Sequence, residues 1–204
     1  MVAMEFITNF DQTLAAQNIN FIPPIWLGHL IRNSTHLGDS RLMLILIPLI
    51  GIYLQRFRGW RTALIFVVGT SGACITCEGV KHLVNRNRPE VTQMRLDGIK
   101  VPTSPSFPSG HTFSASALYP GIAFILARLS SSLSLKIALP LSSVALALLV
   151  GYSRLYLGVH FFSDVIAGLI GGLTFALVMA FLVPKPLQSS TNTSNKMIDP
   201  SHPG

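Results

Sequence analysis

The chain has 204 residues, half of them hydrophobic and only 11% charged, with a mean hydropathy of +0.52. Soluble domains carry about a quarter charged residues, so this chain lacks the polar surface to cover itself in water, and its apolar richness also excludes disorder. Fifteen Lys and Arg against eight Asp and Glu give a net charge of +7. On so apolar a background that excess points to cytoplasmic loops or an anion site of a membrane protein, with no nucleic acid as partner. Two cysteines cannot make a disulfide framework.

The first forty residues read as an interfacial N-terminal segment. Leu14, Ile19, Trp26 and Leu30 alternate with polar residues, and the apolar run Phe21–Ile31 is short and interrupted by Pro23 and Pro24, as in a helix lying along the membrane surface. No basic start leads into an unbroken apolar core, so no signal peptide is expected. Five longer stretches follow, about Leu42–Leu54, Thr62–Val80, Phe113–Leu126, Ile137–Tyr152 and Phe161–Val183. Each approaches the ~20 residues that cross ~30 Å of hydrocarbon. Arg41 and Arg56 flank the first and can snorkel to the interface. Gly168 and Gly172, four apart, leave one face of the last stretch nearly bare, so a neighbouring helix can approach closely. The expected fold is an all-α polytopic membrane helix bundle with five transmembrane helices, or six if the N-terminal segment also crosses. Residues 41–186 are expected to form the transmembrane domain. The tail, 187–204, is rich in Ser, Thr, Asn and Pro and is expected to be disordered.

If the five spans alternate, Arg56, Arg58, Arg61, Arg128, Lys136 and Lys185 share one side, which short basic loops mark as cytoplasmic. Lys81, Arg86, Arg88, Arg95, Lys100 and Arg154 then lie on the other. So much positive charge outside breaks the rule unless those residues have another job.

Three polar clusters at the outer ends of the spans supply one. The first is Lys81-His82-Leu83-Val84-Asn85-Arg86-Asn87-Arg88-Pro89. Lys81 and Arg88 are seven apart, so on a continued helix they share a face and can both turn to one anion, although Pro89 disfavours helix at Arg88. The second is Pro108-Ser109-Gly110-His111, where Ser109 can cap a helix, Gly110 lets a ligand reach the backbone, and the helix N-terminus favours an anion. The third is Ser153-Arg154-Leu155-Tyr156-Leu157-Gly158-Val159-His160-Phe161-Phe162-Ser163-Asp164. His160 and Asp164 are four apart and stack on one helical face, so the carboxylate can hold one ring nitrogen and leave the other free to attack. Two histidines, an orienting carboxylate, three cations and a helix N-terminus suit phosphoryl transfer without a metal or other cofactor.

These clusters spell K-x6-R-P, P-S-G-H and S-R-x5-H-x3-D without departure. The chain therefore resembles the type 2 phosphatidic acid phosphatases, of the superfamily that includes vanadium haloperoxidases and bacterial class A acid phosphatases. The likeness runs from about Asp11 to Val183 and includes Leu37-Gly38-Asp39. It implies that His160 is the nucleophile forming a phosphohistidine, Asp164 its orienting partner, and His111 the acid for the leaving group and then the base for water. Lys81, Arg88, Ser109, Gly110 and Arg154 would cradle the phosphate. Many members have six spans, of which this chain is expected to lack the first.

The expected activity is that of a membrane lipid phosphatase in the inner membrane of a bacterium, its site facing the periplasm or exterior. Undecaprenyl diphosphate is the first candidate substrate, since short bacterial relatives recycle that carrier; phosphatidylglycerol phosphate, phosphatidic acid and lipid A phosphates follow. The alternative is a phosphotransferase passing the phosphoryl group to a second lipid such as lipid A, and a non-catalytic lipid phosphate carrier ranks below both. Cys74 and Cys77 read as buried small side chains. His82 and Arg86 are expected to face headgroups, with a second phosphate as the other option for Arg86. Arg95 and Lys100 read as solvated loop residues, with substrate contact as the other option. Asn33-Ser34-Thr35 and Asn192-Thr193-Ser194 are chance matches to the glycosylation pattern. Trp26 and Trp60 suit the membrane interface.

Overall fold

The computed structural model describes residues 2–90, 92, 94–95 and 102–184. Lys100, Lys185, Asn192-Thr193-Ser194 and the tail 187–204 lie outside the described residues. The chain runs as α1 (Val2–Ile19), α2 (Ile25–Ser34), a 3-10 turn (Thr35–Gly38), α3 (Ser40–Arg58), α4 (Trp60–Val84), α5 (Gly110–Leu129), α6 (Leu133–Tyr156) and α7 (Phe162–Leu182). Helices α3 to α7, of 19 to 25 residues, are long and apolar enough to cross a membrane. The protein is an integral membrane helix bundle with five candidate spans among the described residues.

Each span is bounded differently from its apolar stretch. Hydrophobicity ends at the first charge, but helical hydrogen bonding continues through residues that reach water or a neighbour. So α3 extends through Arg56 to Arg58 and α4 through Lys81 to Val84. Helix α4 does not continue to Arg88, where Pro89 disfavours helix. Asn85 takes the left-handed conformation (φ 46°) and its N–H closes on the Lys81 carbonyl at 2.9 Å, a helix stop that asparagine tolerates better than most residues. The N-terminal apolar run is also divided. Pro23 and Pro24 separate α1 from α2, and Pro24 serves as the N-cap of α2.

Helix α5 is the axis of the bundle. Two thirds of its most apolar window is buried, against one third or less in each other span. Its Ser, Ala and Gly content is therefore not a weak hydrophobic signal but a means of close packing on all sides. Against it lies α7, and the two backbones nearly touch: a Cβ on Gly172 would fall 2.4 Å from the Phe113 carbonyl and 2.5 Å from Ser116 Cβ, and one on Gly168 would fall 2.9 Å from the Ser109 carbonyl. Toward the end far from Lys81, Leu54, Phe66, Leu118, Ile125 and Met179 form the largest apolar cluster. Leu44, Leu49, Val68, Leu141, Ile170 and Phe181 point outward, as lipid-facing side chains do. Helices α1 and α2 lie against the ends of α6 and α7, with Phe10 edge-on to Phe162 at 6.0 Å.

This packing predicts that Gly172→Ala destabilises the protein by about 1–3 kcal/mol, the range for overfilling a close-packed contact. Gly79→Ala, where a Cβ meets nothing within 4 Å, should leave the thermal midpoint in detergent unchanged or raise it. Equal midpoints for the two variants would contradict the α5–α7 contact.

Candidate active site

Five chain segments deliver polar groups to one end of the bundle. Lys81 comes from the last turn of α4, Arg88 from the extended chain after it, Gly110 and His111 from the first turn of α5, Arg154 from the last turn of α6, and His160 from the loop before α7. All six line a single cavity of about 540 Å³. Its other wall is apolar, with Met43, Leu44 and Ile47 from α3 and Ile75 from α4.

The cations are held by neutral groups. Arg88 donates through Nε to the Ser104 carbonyl (2.8 Å), through Nη1 to the Val159 carbonyl (2.8 Å) and through Nη2 to Ser104 Oγ (3.1 Å). Lys81 Nζ is 3.5 Å from the same hydroxyl. Arg154 Nη1 donates to Thr35 Oγ1 at 2.5 Å, while its buried Nε has no partner among the described residues. Lys81 and Arg154 are 6% and 4% exposed, yet among the described residues no carboxylate pairs with Lys81, Arg88 or Arg154. Uncompensated buried charge is costly, so two buried cations and the half-buried Arg88 facing one cavity call for an anion. The start of α5 adds to this field. Its N-terminal N–H groups receive no side-chain cap, and Lys81 Nζ lies 3.3 Å from where a Gly110 Cβ would be, directly across the helix end.

Negative charge sits behind His160 instead. Asp164, fully buried, has Oδ2 3.4 Å from His160 Nδ1 and accepts the Phe161 N–H at the same oxygen (2.9 Å). Ser106 Oγ also donates to Oδ2, and Arg86 Nη1 donates to Oδ1 at 2.7 Å. Placed in the first turn of α7, the carboxylate also meets the favourable end of the helix dipole. His160 Nε2 is left toward the cavity, 3.1 Å from Arg88 Nη1. Burial, helped by the Arg154 and Arg88 charges and opposed by Asp164, pushes the His160 pKa down to about 3. The resting imidazole is neutral, with a lone pair for electrophilic phosphorus.

Ser109 and Asp164 lie outside the cavity wall formed by the other six. Ser109 is buried at the N-cap of α5, but its hydroxyl accepts from Thr112 (2.9 Å) and does not cap the helix, while its N–H donates to the Asp164 carbonyl (3.0 Å). It joins α5 to α7. Arg86 faces neither headgroups nor the cavity: it is turned inward onto Asp164, with its guanidinium 4.4 Å over the Phe161 ring. Nor is Arg95 a solvated loop residue. It donates to the Asn18 and Phe21 carbonyls, each at 2.7 Å, and stacks 4.4 Å over Tyr156, bracing α1 against α6. His82 is exposed beside Glu78 at 3.5 Å. Ser104, Ser106, Thr35 and Asp11 are the site residues that motif reading missed; isolated hydroxyls and one acid on an amphipathic helix carry no spacing signal. Among the described residues no group of three or more His, Cys, Asp or Glu could hold a metal ion.

The sequence pattern of the PAP2 superfamily matches residues 60–187, more than half of the chain and all three polar clusters. The chain belongs to the PAP2 superfamily. It is 35% identical over 159 residues to phosphatidylglycerophosphatase B of Bacillus subtilis, covering 78% of this chain and 74% of that protein. Identity is 31% over 149 residues with decaprenylphosphoryl-5-phosphoribose phosphatase of Mycobacterium tuberculosis, covering 72% and 76%. In structure it is similar to a transmembrane PAP2-type phosphatidylglycerolphosphate phosphatase from Bacillus subtilis, with a TM-score of 0.74 and 33% identity over 86% of this chain and 85% of that one. Aquifex aeolicus LpxE shares the fold, with a TM-score of 0.60 and 24% identity over 79% and 89%. A PAP2 chain with five apolar spans is a membrane lipid phosphatase, a hydrolase of phosphoric esters.

Because the folded chain holds His160 neutral, its imidazole binds a proton only well below the ~6.5 of a free histidine. With ¹⁵N-labelled histidine, the resonances lost in His160→Asn should stay those of neutral imidazole from pH 8 to pH 5. Titration of those resonances near 6.5 would contradict the buried geometry.

Proposed function

We propose that this lipid phosphatase removes the terminal phosphate of a glycerolipid phosphate, phosphatidylglycerol phosphate first among candidates, through a phosphohistidine on His160. The observation that carries the reading is the set of three cations, Lys81 and Arg154 buried and Arg88 half-buried, that line one cavity with His160 and have no carboxylate partner among the described residues. A phosphate monoester supplies the missing charge, and the apolar wall from Met43 to Ile75 suits the acyl part of a lipid. The relatives favour this order of candidates over one headed by undecaprenyl diphosphate, since both bear names of phosphatases acting on a phosphorylated glycerol or ribose headgroup. Undecaprenyl diphosphate and phosphatidic acid come next.

In the proposed reaction Lys81, Arg88, Arg154 and the Gly110 and His111 N–H groups bind the phosphoryl oxygens, and Ser109 holds the start of α5 in place for them. His160 Nε2 attacks phosphorus while Asp164 keeps the other ring nitrogen protonated. His111, which takes up a proton together with the phosphate anion, donates it to the departing oxygen as the ester P–O bond breaks. His111 then takes a proton from water, the resulting hydroxide attacks phosphorus, and the P–N bond breaks to release inorganic phosphate and neutral His160. Charge spread over the equatorial oxygens is stabilised by donors already in position. The site faces away from the cytoplasm in this proposal, because the exposed Arg56, Arg58 and Arg61 sit at the opposite end of α3 and α4. That orientation belongs to a bacterial inner membrane.

Purified protein in detergent, given phosphatidylglycerol phosphate, phosphatidic acid and undecaprenyl diphosphate separately, should release phosphate with water as the sole acceptor, fastest from the first. His160→Ala should abolish release, and Asp164→Asn should lower kcat at least about 100-fold, as loss of an orienting carboxylate does elsewhere. Activity of His160→Ala equal to wild type refutes the nucleophile assignment. Turnover only after a second lipid is added would make the protein a transferase. His111→Ala should lose less rate on substrates with good leaving groups; a flat leaving-group series removes it as the acid.

A further inference from the structure

The carboxylate that orients His160 is not the end of its chain of contacts. Arg86, in the interior of the first polar cluster, lies between two acids. Its Nη1 donates to Asp164 Oδ1 at 2.7 Å and its Nη2 to Asp11 Oδ2 at 2.8 Å. Asp11 is 1% exposed and comes from α1, a helix outside both the candidate spans and the matched residues 60–187. Ser163 closes the arrangement. Its N–H donates to Asp11 Oδ1 at 3.0 Å, its hydroxyl donates to Asp11 Oδ2, and the same hydroxyl accepts from Arg86 Nη1 at 2.7 Å.

We propose that Asp11 and Arg86 are positioning residues, through which the N-terminal helix fixes the orientation and charge of Asp164 and thereby the reactivity of His160. Two physical reasons support this. Asp164 has two oxygens. Oδ2 serves His160, Ser106 and the Phe161 N–H, so the plane of the carboxylate depends on what holds Oδ1, and that is Arg86. The second reason is charge balance. An arginine bonded to Asp164 alone would neutralise the charge that His160 draws on when its ring becomes positive in the phosphohistidine. Asp11 takes up half of the guanidinium fork, so the buried set of two acids and one arginine keeps a net negative charge beside the imidazole. A cation placed there only for stability would not need the second acid. The surface alternative, an ordinary ion pair, is excluded by the 1% exposure of Asp11 and the 0% exposure of Asp164.

The inference rests on the phosphohistidine reading above. The full chain in detergent is measured with phosphatidylglycerol phosphate at saturating and limiting concentrations, as wild type, His160→Ala, Asp11→Asn, Arg86→Gln, Arg86→Lys and the Asp11→Asn, Arg86→Gln double variant. Asp11→Asn keeps an oxygen for the Ser163 N–H but loses the charge. It should lower kcat about 10- to 100-fold, the usual cost of removing a partner of this type, while KM changes by less than about threefold, since the cavity cations are untouched. Arg86→Gln should fall at least as far, Arg86→Lys should recover part of the loss, and the double variant should be no worse than Arg86→Gln alone, as expected of residues in one network. If Asp11→Asn does not yield monodisperse protein, Ser163→Ala, which removes only the bridging hydroxyl, should show a several-fold loss confined to kcat. Wild-type kcat in Asp11→Asn, or a lowered thermal midpoint with kcat intact, overturns the proposal and leaves Asp11 a structural clasp. Should wild type be inactive on every lipid, or His160→Ala active, the phosphohistidine reading itself fails; normal behaviour of those two with an indifferent Asp11→Asn fails this inference alone.

Discussion

The backbone contact between α5 and α7 governs the geometry of the whole site. Gly168 and Gly172 let the two helices approach until carbonyl and Cβ atoms would collide with any larger residue. The same approach puts the Ser109 N–H on the Asp164 carbonyl at 3.0 Å. The start of α5 and the start of α7 thus become one unit. One contributes an uncapped helix end and His111, the other His160 and its carboxylate. A larger residue at Gly168 or Gly172 would push apart the helices whose starts bring His111 and His160 to one cavity.

That unit separates charges by function. Cations line the cavity and are held by carbonyls and hydroxyls of Ser104, Pro105, Val159 and Thr35. Neutral acceptors fix a guanidinium without cancelling its charge, so the field remains available to a ligand. Asp164 and Asp11 stand behind His160, outside the cavity that the cations line. Burial strengthens the field of both sets, since an interaction that water would screen is much larger at low effective dielectric. It also keeps the His160 lone pair unprotonated. An exposed version of the same residues would bind anions weakly and carry a histidine half charged near neutral pH.

Sequence reading reaches as far as local order allows. Composition and apolar length suffice for the helical class and the five spans, because the bilayer sets their length. The three clusters are legible because each keeps its groups within a dozen residues. Asp11, Ser104, Ser106 and Thr35 are not, since their partners lie up to 152 residues away and a lone acid on an amphipathic helix reads as a solvated face. Arg86 and Arg95 were misjudged for a related reason. A basic residue near a membrane rim has a surface role by default, and only the fold brings in a carboxylate for Arg86 and two carbonyls and a tyrosine ring for Arg95. The stop at Asn85 carries no spacing signal, because Lys81 and Arg88 can turn to one anion whether or not the chain stays helical between them.

The same internal commitments resolve the anomaly in the distribution of positive charge. Counted from sequence, Lys81, Arg86, Arg88, Arg95, Lys100 and Arg154 make the site end of the bundle as basic as the opposite end. Counted from structure, none of the five that lie among the described residues is exposed: each is buried or half-buried and bonded to chain atoms or turned to the cavity. Arg56, Arg58 and Arg61, in contrast, stand exposed on the helix ends that flank Gly59, open to headgroups and solvent. The rule relating basic loops to topology concerns charge that resists translocation as loop, so cations that fold inward onto chain atoms or a cavity are to be subtracted before it is applied. For a lipid phosphatase the subtraction is unavoidable, because binding an anion at the membrane rim requires positive charge at the very place where the rule would otherwise read it as a topological signal.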